Sequence, residues 1–175
     1  EIGTELGFFD GRVNLDFTYY NQDTEDQIIS LPRAESSGFG ALRTNVGAVS
    51  NNGIEVNLRA GLVTTSEFSW RTDVNFSQNK NEVESLAEGV DELILQSGFN
   101  GLQVRARPGD EIQIFGVGWE RDPTTGKVVI NPETGLRQTG DDKALGDLYA
   151  DFKMGISNSF SFRNFDLSFL IDWKQ

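Results

Sequence analysis

The chain has 175 residues, enough for a single domain with a real core, and carries 19 Gly and 13 Phe against 4 Pro and one Met. It contains no cysteine and no histidine, which removes a disulfide framework, a thiolate metal site, the commonest general base and the commonest zinc ligand. A net charge of −12 argues against a nucleic-acid partner, which calls for a basic stripe, and there is no run of about 18 apolar residues to form a helical membrane span.

The first predicted strand covers 1–9, where Ile2, Thr4, Leu6 and Phe8 alternate with Glu1, Gly3, Glu5 and Gly7. The chain opens without Met and without a signal peptide, already inside this pattern, and it stops inside another. Domain boundaries usually fall in exposed linkers, so we expect a piece of a longer polypeptide, whose targeting cannot be read from this stretch. Asp10-Gly11 predicts a two-residue hairpin of the type I′ kind. The second strand, 12–21, alternates Val13, Leu15, Phe17 and Tyr19 with Arg12, Asn14, Asp16 and Thr18. A long polar connection follows over 22–50, in which Ile28-Ile29 extends the strand and Pro32 ends it.

The third and fourth strands, 53–64 and 67–78, form a hairpin turning near 64–67. Ile54, Val56, Leu58, Ala60 and Leu62 fall on one face, and Glu55, Asn57, Arg59 and Gly61 on the other. Phe68, Trp70, Thr72, Val74 and Phe76 likewise oppose Ser69, Arg71, Asp73, Asn75 and Ser77. Most soluble strands have about five or six residues, whereas about ten is the length a tilted strand needs to cross a bilayer. Two readings compete: the wall of an outer-membrane barrel, or a long-stranded soluble β-sandwich.

A second long connection spans 79–147. Val83, Leu86, Val90 and Leu93 have helix-like spacing, and GWERDPTTGKVVINPETG predicts a small hairpin around Asp122-Pro123 to Gly126, returning through Val128 to Ile130. A structureless loop of this length is implausible, so it is expected to carry hairpins of its own. The fifth strand, 150–162, sets Phe152, Met154, Ile156, Phe160 and Phe162 against Lys153, Gly155, Ser157, Ser159 and Ser161. Arg163-Asn164 is a tight turn into the sixth strand, 165–175, where Phe165, Leu167, Phe169, Ile171 and Trp173 face away from Asp166, Ser168 and Asp172.

Connections thus alternate short and long. In an up-and-down meander this gathers the tight turns at one end and the long loops at the other, the asymmetry of bacterial outer-membrane barrels. Aromatics also sort by height. Phe8, Phe9, Phe68, Trp70, Phe160, Phe162 and Phe165 lie near the tight turns; Tyr19, Tyr20, Phe76, Phe152 and Trp173 lie toward the long loops. Two such bands match interfacial girdles, although aromatics are also simply good strand formers. On the barrel reading Ile54, Val56, Leu58, Leu62, Val74, Leu167, Phe169 and Ile171 face lipid. Glu55, Asn57, Arg59, Arg71, Asp73, Asn75, Asp166 and Asp172 face a watery lumen, with Arg59 and Arg71 facing Glu55 and Asp73 in a cross-strand charge network that is structural rather than substrate-binding. The wet face of a sandwich would look the same, so these charges leave both readings open. Six strands cannot close a barrel of useful bore, so the barrel reading also requires strands from elsewhere in the polypeptide.

No G-x-S-x-G, H-E-x-x-H, P-loop or EF-hand spacing occurs, and the chain does not read as an enzyme. Asp110-Glu111 and Asp141-Asp142 sit in polar loops as solvated charge; no cofactor is expected, with loop Ca²⁺ left open by such carboxylates.

Three stretches, NVGAVSNNGIEVNL (Asn45 to Leu58), FSWRTDVNFSQNKNEV (Phe68 to Val83) and LGDLYADFKMGISNSFSF (Leu145 to Phe162), followed by FDLSFLID (Phe165 to Asp172) and preceded by E-x-G-x-E-x-x-F-F-D-G-R at the start, resemble the SusC/RagA-type TonB-dependent outer-membrane transporters of Bacteroidota. The resemblance covers nearly the whole chain; Ala150 departs from the Pro expected before Asp-Phe. It implies an all-β, antiparallel up-and-down transmembrane β-barrel of 22 strands with an N-terminal plug, of which 1–175 supplies about six strands of the C-terminal wall and two extracellular loops. Signal sequence, TonB-contacting segment and plug lie outside this stretch. It also implies residence in a Gram-negative outer membrane, a SusD-like surface lipoprotein as lid, and import of oligosaccharides or peptides energised by TonB. Among loop residues, Phe115, Trp119 and Tyr149 are the candidates for stacking on ligand or lid, the alternative being packing within the loop. A secreted β-sandwich glycan-binding module and a passive porin are the competing functions.

Overall fold

The computed structural model describes residues 1–32, 35–45 and 47–175. Positions 33, 34 and 46, within the first predicted long connection (46 also within the Asn45–Leu58 motif), lie outside the described residues. The strands are β1 (Ile2–Phe8), β2 (Val13–Glu25), β3 (Ile28–Pro32), β4 (Ala41–Asn45), β5 (Ala48–Thr64), β6 (Phe68–Ser85), β7 (Leu93–Ser97), β8 (Gln103–Ala106), β9 (Gln113–Trp119), β10 (Thr139–Asp147), β11 (Lys153–Phe162) and β12 (Phe165–Lys174). The chain divides into a wall unit, Glu1–Thr24 with Ser50–Asn81 and Ala150–Gln175, and a loop unit, Glu25–Val49 with Glu82–Tyr149. Among the described residues no helix is long and apolar enough to cross a membrane, which says nothing of crossing by strands.

The wall unit is one six-stranded sheet in the order β1-β2-β5-β6-β11-β12. Its register keeps like with like. Ile2, Thr4, Leu6 and Phe8 stand opposite Tyr19, Phe17, Leu15 and Val13. Ile156 stands between Val74 on β6 and Ile171 on β12, and Ser159 between Arg71 and Ser168. Because the side-chain period is two, this register puts a mainly greasy row and a mainly polar row on opposite faces of these strand pairs. Several strands run longer than the alternation alone predicts: β5 begins at Ala48 and β6 continues to Ser85. β11 begins only at Lys153, although Phe152 and Gln175 still exchange backbone hydrogen bonds of 3.4 and 3.2 Å beyond it.

Tight connections join β1 to β2, β5 to β6 and β11 to β12; the other two are long. The predicted two-residue turn at Asp10-Gly11 is in fact a four-residue loop. Pairing stops at Phe8 opposite Val13, the Arg12 N–H donates to Phe9 O at 3.2 Å, and Phe9, Asp10 and Gly11 all have positive φ (54°, 54° and 80°). The turn starts early because Phe9 itself enters the left-handed region, which costs a non-glycine residue about 1–2 kcal/mol, while the Asn14 amide donates to Gly11 O at 2.9 Å and ties off the far side. At Arg163-Asn164 the two-residue turn is present, Phe162 pairing with Phe165.

The loop unit carries a two-stranded β3-β4 hairpin and a four-stranded sheet ordered β10-β9-β8-β7. β3 is separate from β2, broken at Asp26 (φ 53°), rather than its extension. The core is small: Val83, Leu93 and Ala106 are buried, with Ile29, Leu31, Leu86 and Ile112 packed against them. No helix forms at 83–93. Val83 belongs to β6 and Leu93 to β7, joined through a turn in which the Val90 N–H donates to Ala87 O at 3.0 Å and Gly89 has φ 76°. The apolar spacing arises because strand, turn and strand fold Val83 and Leu93 into one core. Val83 is further pinned through its own backbone, its N–H donating to Asp110 O and its carbonyl accepting from Gly109 N–H. The predicted hairpin at Asp122–Gly126 forms, and the same turn recurs nine residues later. The Asp122 and Asn131 side chains each accept backbone N–H groups two and three residues on, and Gly126 and Gly135, both at φ 68°, close the turns.

Candidate functional site

On the polar face of the wall, Arg59 Nε donates to Asp73 Oδ1 at 3.0 Å. Among the described residues neither Arg71 nor Glu55 joins this pair, so the predicted four-residue network reduces to one ion pair; Arg71 stands opposite the short Ser159 of β11. Asn75 lies across Gly155 from Asp172, and the room left by that glycine helps open a shallow cavity of about 270 Å³ bordered by Glu55, Asn57, Lys153 and Asp172. Asp166 accepts from the Ser161 hydroxyl at 2.6 Å.

Toward the long connections this face carries a hydrogen-bond chain. The Tyr20 hydroxyl donates to Asn79 Oδ1 (3.0 Å), and the Asn79 and Asn81 amides both donate to Asn51 Oδ1 (3.2 and 2.9 Å). Asn81 Oδ1 is left buried without a partner among the described residues. Tyr20, predicted within an aromatic band beside Tyr19, is instead on the polar face. Its ring lies over Gly53, where any Cβ would come within 2.7 Å of the phenol ring, so the aromatic covers the backbone of a side-chain-free position.

On the other face Ile54, Val56, Leu58 and Leu62 of β5 share the apolar side with Val74, Ile156, Leu167, Phe169 and Ile171. Aromatic contacts gather at its two ends. Phe160 stacks on Trp70 (5.3 Å) and contacts Phe68 and Phe169 near the tight turns, while Phe152 contacts Phe76 (5.8 Å) and Trp173 (5.4 Å) near the long connections. Phe8, Phe9 and Phe162 are exposed at the tight-turn end, and Tyr19 at the other. A buried amide interrupts this face: Asn158, opposite Thr72 and Phe169, accepts from Trp70 Nε1 at 3.0 Å. The polar handle of Trp70 is thereby satisfied within the sheet.

In the loop unit the three aromatic candidates separate. Phe115 is 3 % exposed, with the Arg105 and Arg107 guanidiniums 4.7 and 4.2 Å from its ring centre. Both arginines pair with Glu92, and Arg105 also with Asp142 at 2.6 Å. Phe115 is therefore loop packing and offers no surface for a ligand, a correction to its place among the candidates. Trp119 is half exposed, Arg137 lying 5.5 Å from its ring centre, and Tyr149 is also half exposed. Asp122 lies outside the wall, and the Thr125 and Thr124 N–H groups and the Thr125 hydroxyl hold its carboxyl below the usual carboxylate range. Among the described residues no three carboxylates gather as a cation site.

Relatives share both the pattern and the fold. The chain is 30% identical over 96% of its length to TonB-dependent receptor P3 of Formosa agariphila, and 27% identical over 95% to TonB-dependent receptor SusC of Bacteroides thetaiotaomicron. A solved structure of the RagAB peptide transporter superposes on 97% of the chain with a TM-score of 0.74 at 19% identity, which speaks for the fold. The chain spans about one fifth of the length of these relatives (19%, 18% and 20%). Residues 1–173 match the family described as TonB dependent receptor-like, beta-barrel, and the chain belongs to that family.

Proposed function

We propose that the chain contributes wall strands and two surface loops to a SusC/RagA-type outer-membrane importer, working with a SusD-like lid lipoprotein and energised by TonB. The observation that carries this reading is the two-faced sheet of long strands, with its tight turns at one end and its long connections at the other, in a chain of the TonB-dependent receptor family. On this reading the apolar face meets lipid, the face bearing Arg59, Asp73 and Asp172 meets the lumen, and the loop unit lies outside the cell. The cargo is an oligosaccharide or a peptide. The wall residues shape the passage and position the loops; no step of bond chemistry is required of them.

The test is uptake of labelled oligosaccharides and peptides by cells carrying the full-length receptor. Uptake should stop when the proton-motive force is collapsed and when the lid lipoprotein is deleted. Uptake that persists through both treatments contradicts the proposal in favour of a passive porin.

A further inference from the structure

We infer that the Trp119 end of the β9–β10 ribbon is a binding site for a neutral oligosaccharide, with the indole as a stacking platform; this rests on the importer reading above. Trp119 is the last residue of β9 and pairs with Thr139 on β10. Burial removes Phe115 from contention, whereas Trp119 keeps half its surface in solvent while Arg137 packs against its ring and restrains its rotamer. Two grooves, of about 500 and about 330 Å³, border the indole, both lined by Gly118 and Trp119. Both volumes fall within the range of about 300–1,000 Å³ typical of small-ligand sites. Gly118 opens on both grooves with nothing within 4 Å of its Cβ position, while Gly140 allows the close approach of the Glu120 backbone, on which a Cβ would press at 3.3 Å.

The larger groove sets the chemistry. Glu120 and Asp141 supply acceptors, Arg121 and Lys143 supply donors, and these charges sum to zero. Among the described residues none of the four forms an ion pair, so their hydrogen-bonding capacity is open to a ligand. Arg121 is held in place by donating to Gly126 O at 2.9 Å. A pyranose fits this arrangement: its C–H face lies on the indole while its hydroxyls donate to the carboxylates and accept from the cations. A sulfated or uronate chain is disfavoured, because the groove has no net positive charge to offset its repeated anions and the 175 residues around it carry −12. An extended peptide is also disfavoured. Such a peptide docks through an unbroken row of backbone groups, and β10 breaks that row with irregularities at 139/142 and 144/146.

The experiment is calorimetric titration of the purified full-length receptor, wild type, W119A and W119F. The probes are neutral hexasaccharides of glucose, mannose, galactose and xylose, a fully sulfated hexasaccharide, and an uncharged hexapeptide. At least one neutral sugar should bind, its Kd rising about tenfold in W119A, the scale of a truncated anchor aromatic, and staying within about threefold in W119F. Equal neutral-sugar affinity in W119A and wild type overturns the site while leaving the importer intact. Binding of the sulfated probe or the peptide in preference to every neutral sugar overturns the ligand class. Energy-dependent uptake, measured separately, tells either failure apart from failure of the importer reading.

Discussion

Two neighbouring residues on β11 offer a sharp test of how the wall is oriented. Ile156 is the fourth of ten residues in the strand and stands between Val74 and Ile171. At about 3.3 Å per residue the strand is about 33 Å long, and a tilt of about 40° reduces this to about 25 Å, the height of an apolar band. On the proposed orientation Ile156 then falls close to mid-bilayer on the greasy face. Arg at such a position costs about 2–4 kcal/mol, or about 30- to 900-fold in the folding equilibrium. Ser157, next in the chain, points to the other face opposite Asp73. Arg placed there meets water and a carboxylate, and its effect should stay within about 1 kcal/mol. The assay is urea titration of the full-length protein refolded into vesicles, comparing Ile156→Arg with Ser157→Arg. Equal destabilisation, or a larger loss from Ser157→Arg, would refute the assignment of faces.

Three further outcomes are expected. Arg105→Met removes the cation between Glu92 and Asp142 and one of the two guanidiniums over Phe115, Arg107 remaining on Glu92 and on the ring; with Asp142 41% exposed the loss is about 1 kcal/mol, read as faster amide exchange across β7–β10 with β11–β12 unchanged. Gly53→Ala drives a methyl first into the Gln78 backbone carbonyl and then into the Tyr20 phenol, and should impair assembly in heat-modifiability gels; Tyr20→Ala should leave most of the defect in place, and full restoration by it would show that the backbone contact does not matter. The third concerns pH. The Asp122 carboxyl sits below its unfolded value because its turn donates hydrogen bonds to the charged form, so this stabilisation is fully present above the unfolded carboxylate pKa and is lost as pH falls through the folded one. Protection factors at 121–128, taken against the intrinsic rate at each pH, should therefore fall on acidification, and Asp122→Asn should flatten that fall, as Asn131 already turns the chain the same way without charge.

Most of the wall is written in the sequence, because a half-buried strand has a period of two and six segments keep it. The features that escaped need information the alternation does not carry. Asn158 interrupts the greasy row, and its partner Trp70 is 88 residues away, so only the register joins them. The Tyr20–Gly53 contact and the Asn51–Asn79–Asn81 cluster are likewise long-range pairings of residues that look ordinary alone. At 83–93 a helical period was a coincidence of two strand ends meeting across a turn, and Gly89 at positive φ was the available warning. For Phe115 the signal was present: Arg105 on β8 and Arg107 just beyond its end are two apart in sequence, and both guanidiniums lie over the ring of Phe115 on the next strand. Near Trp119 the repeat of Asp122–Gly126 at Asn131–Gly135 was visible in the letters, but the grooves depend on the pairing of β9 with β10.

The central claim is that this sheet meets lipid on one face and water on the other. It is tested most directly by nitroxide scanning of β6 (68–77) and β11 (153–162), a chain segment free of native cysteine, in the full-length receptor in bilayers. The account predicts that collision with dissolved oxygen peaks at 70, 74, 154, 156 and 160, and that collision with a water-soluble nickel chelate peaks at 71, 73, 155, 157 and 159, the two profiles alternating out of phase. Profiles in phase along either strand, or chelate access at 74 and 156, would contradict it.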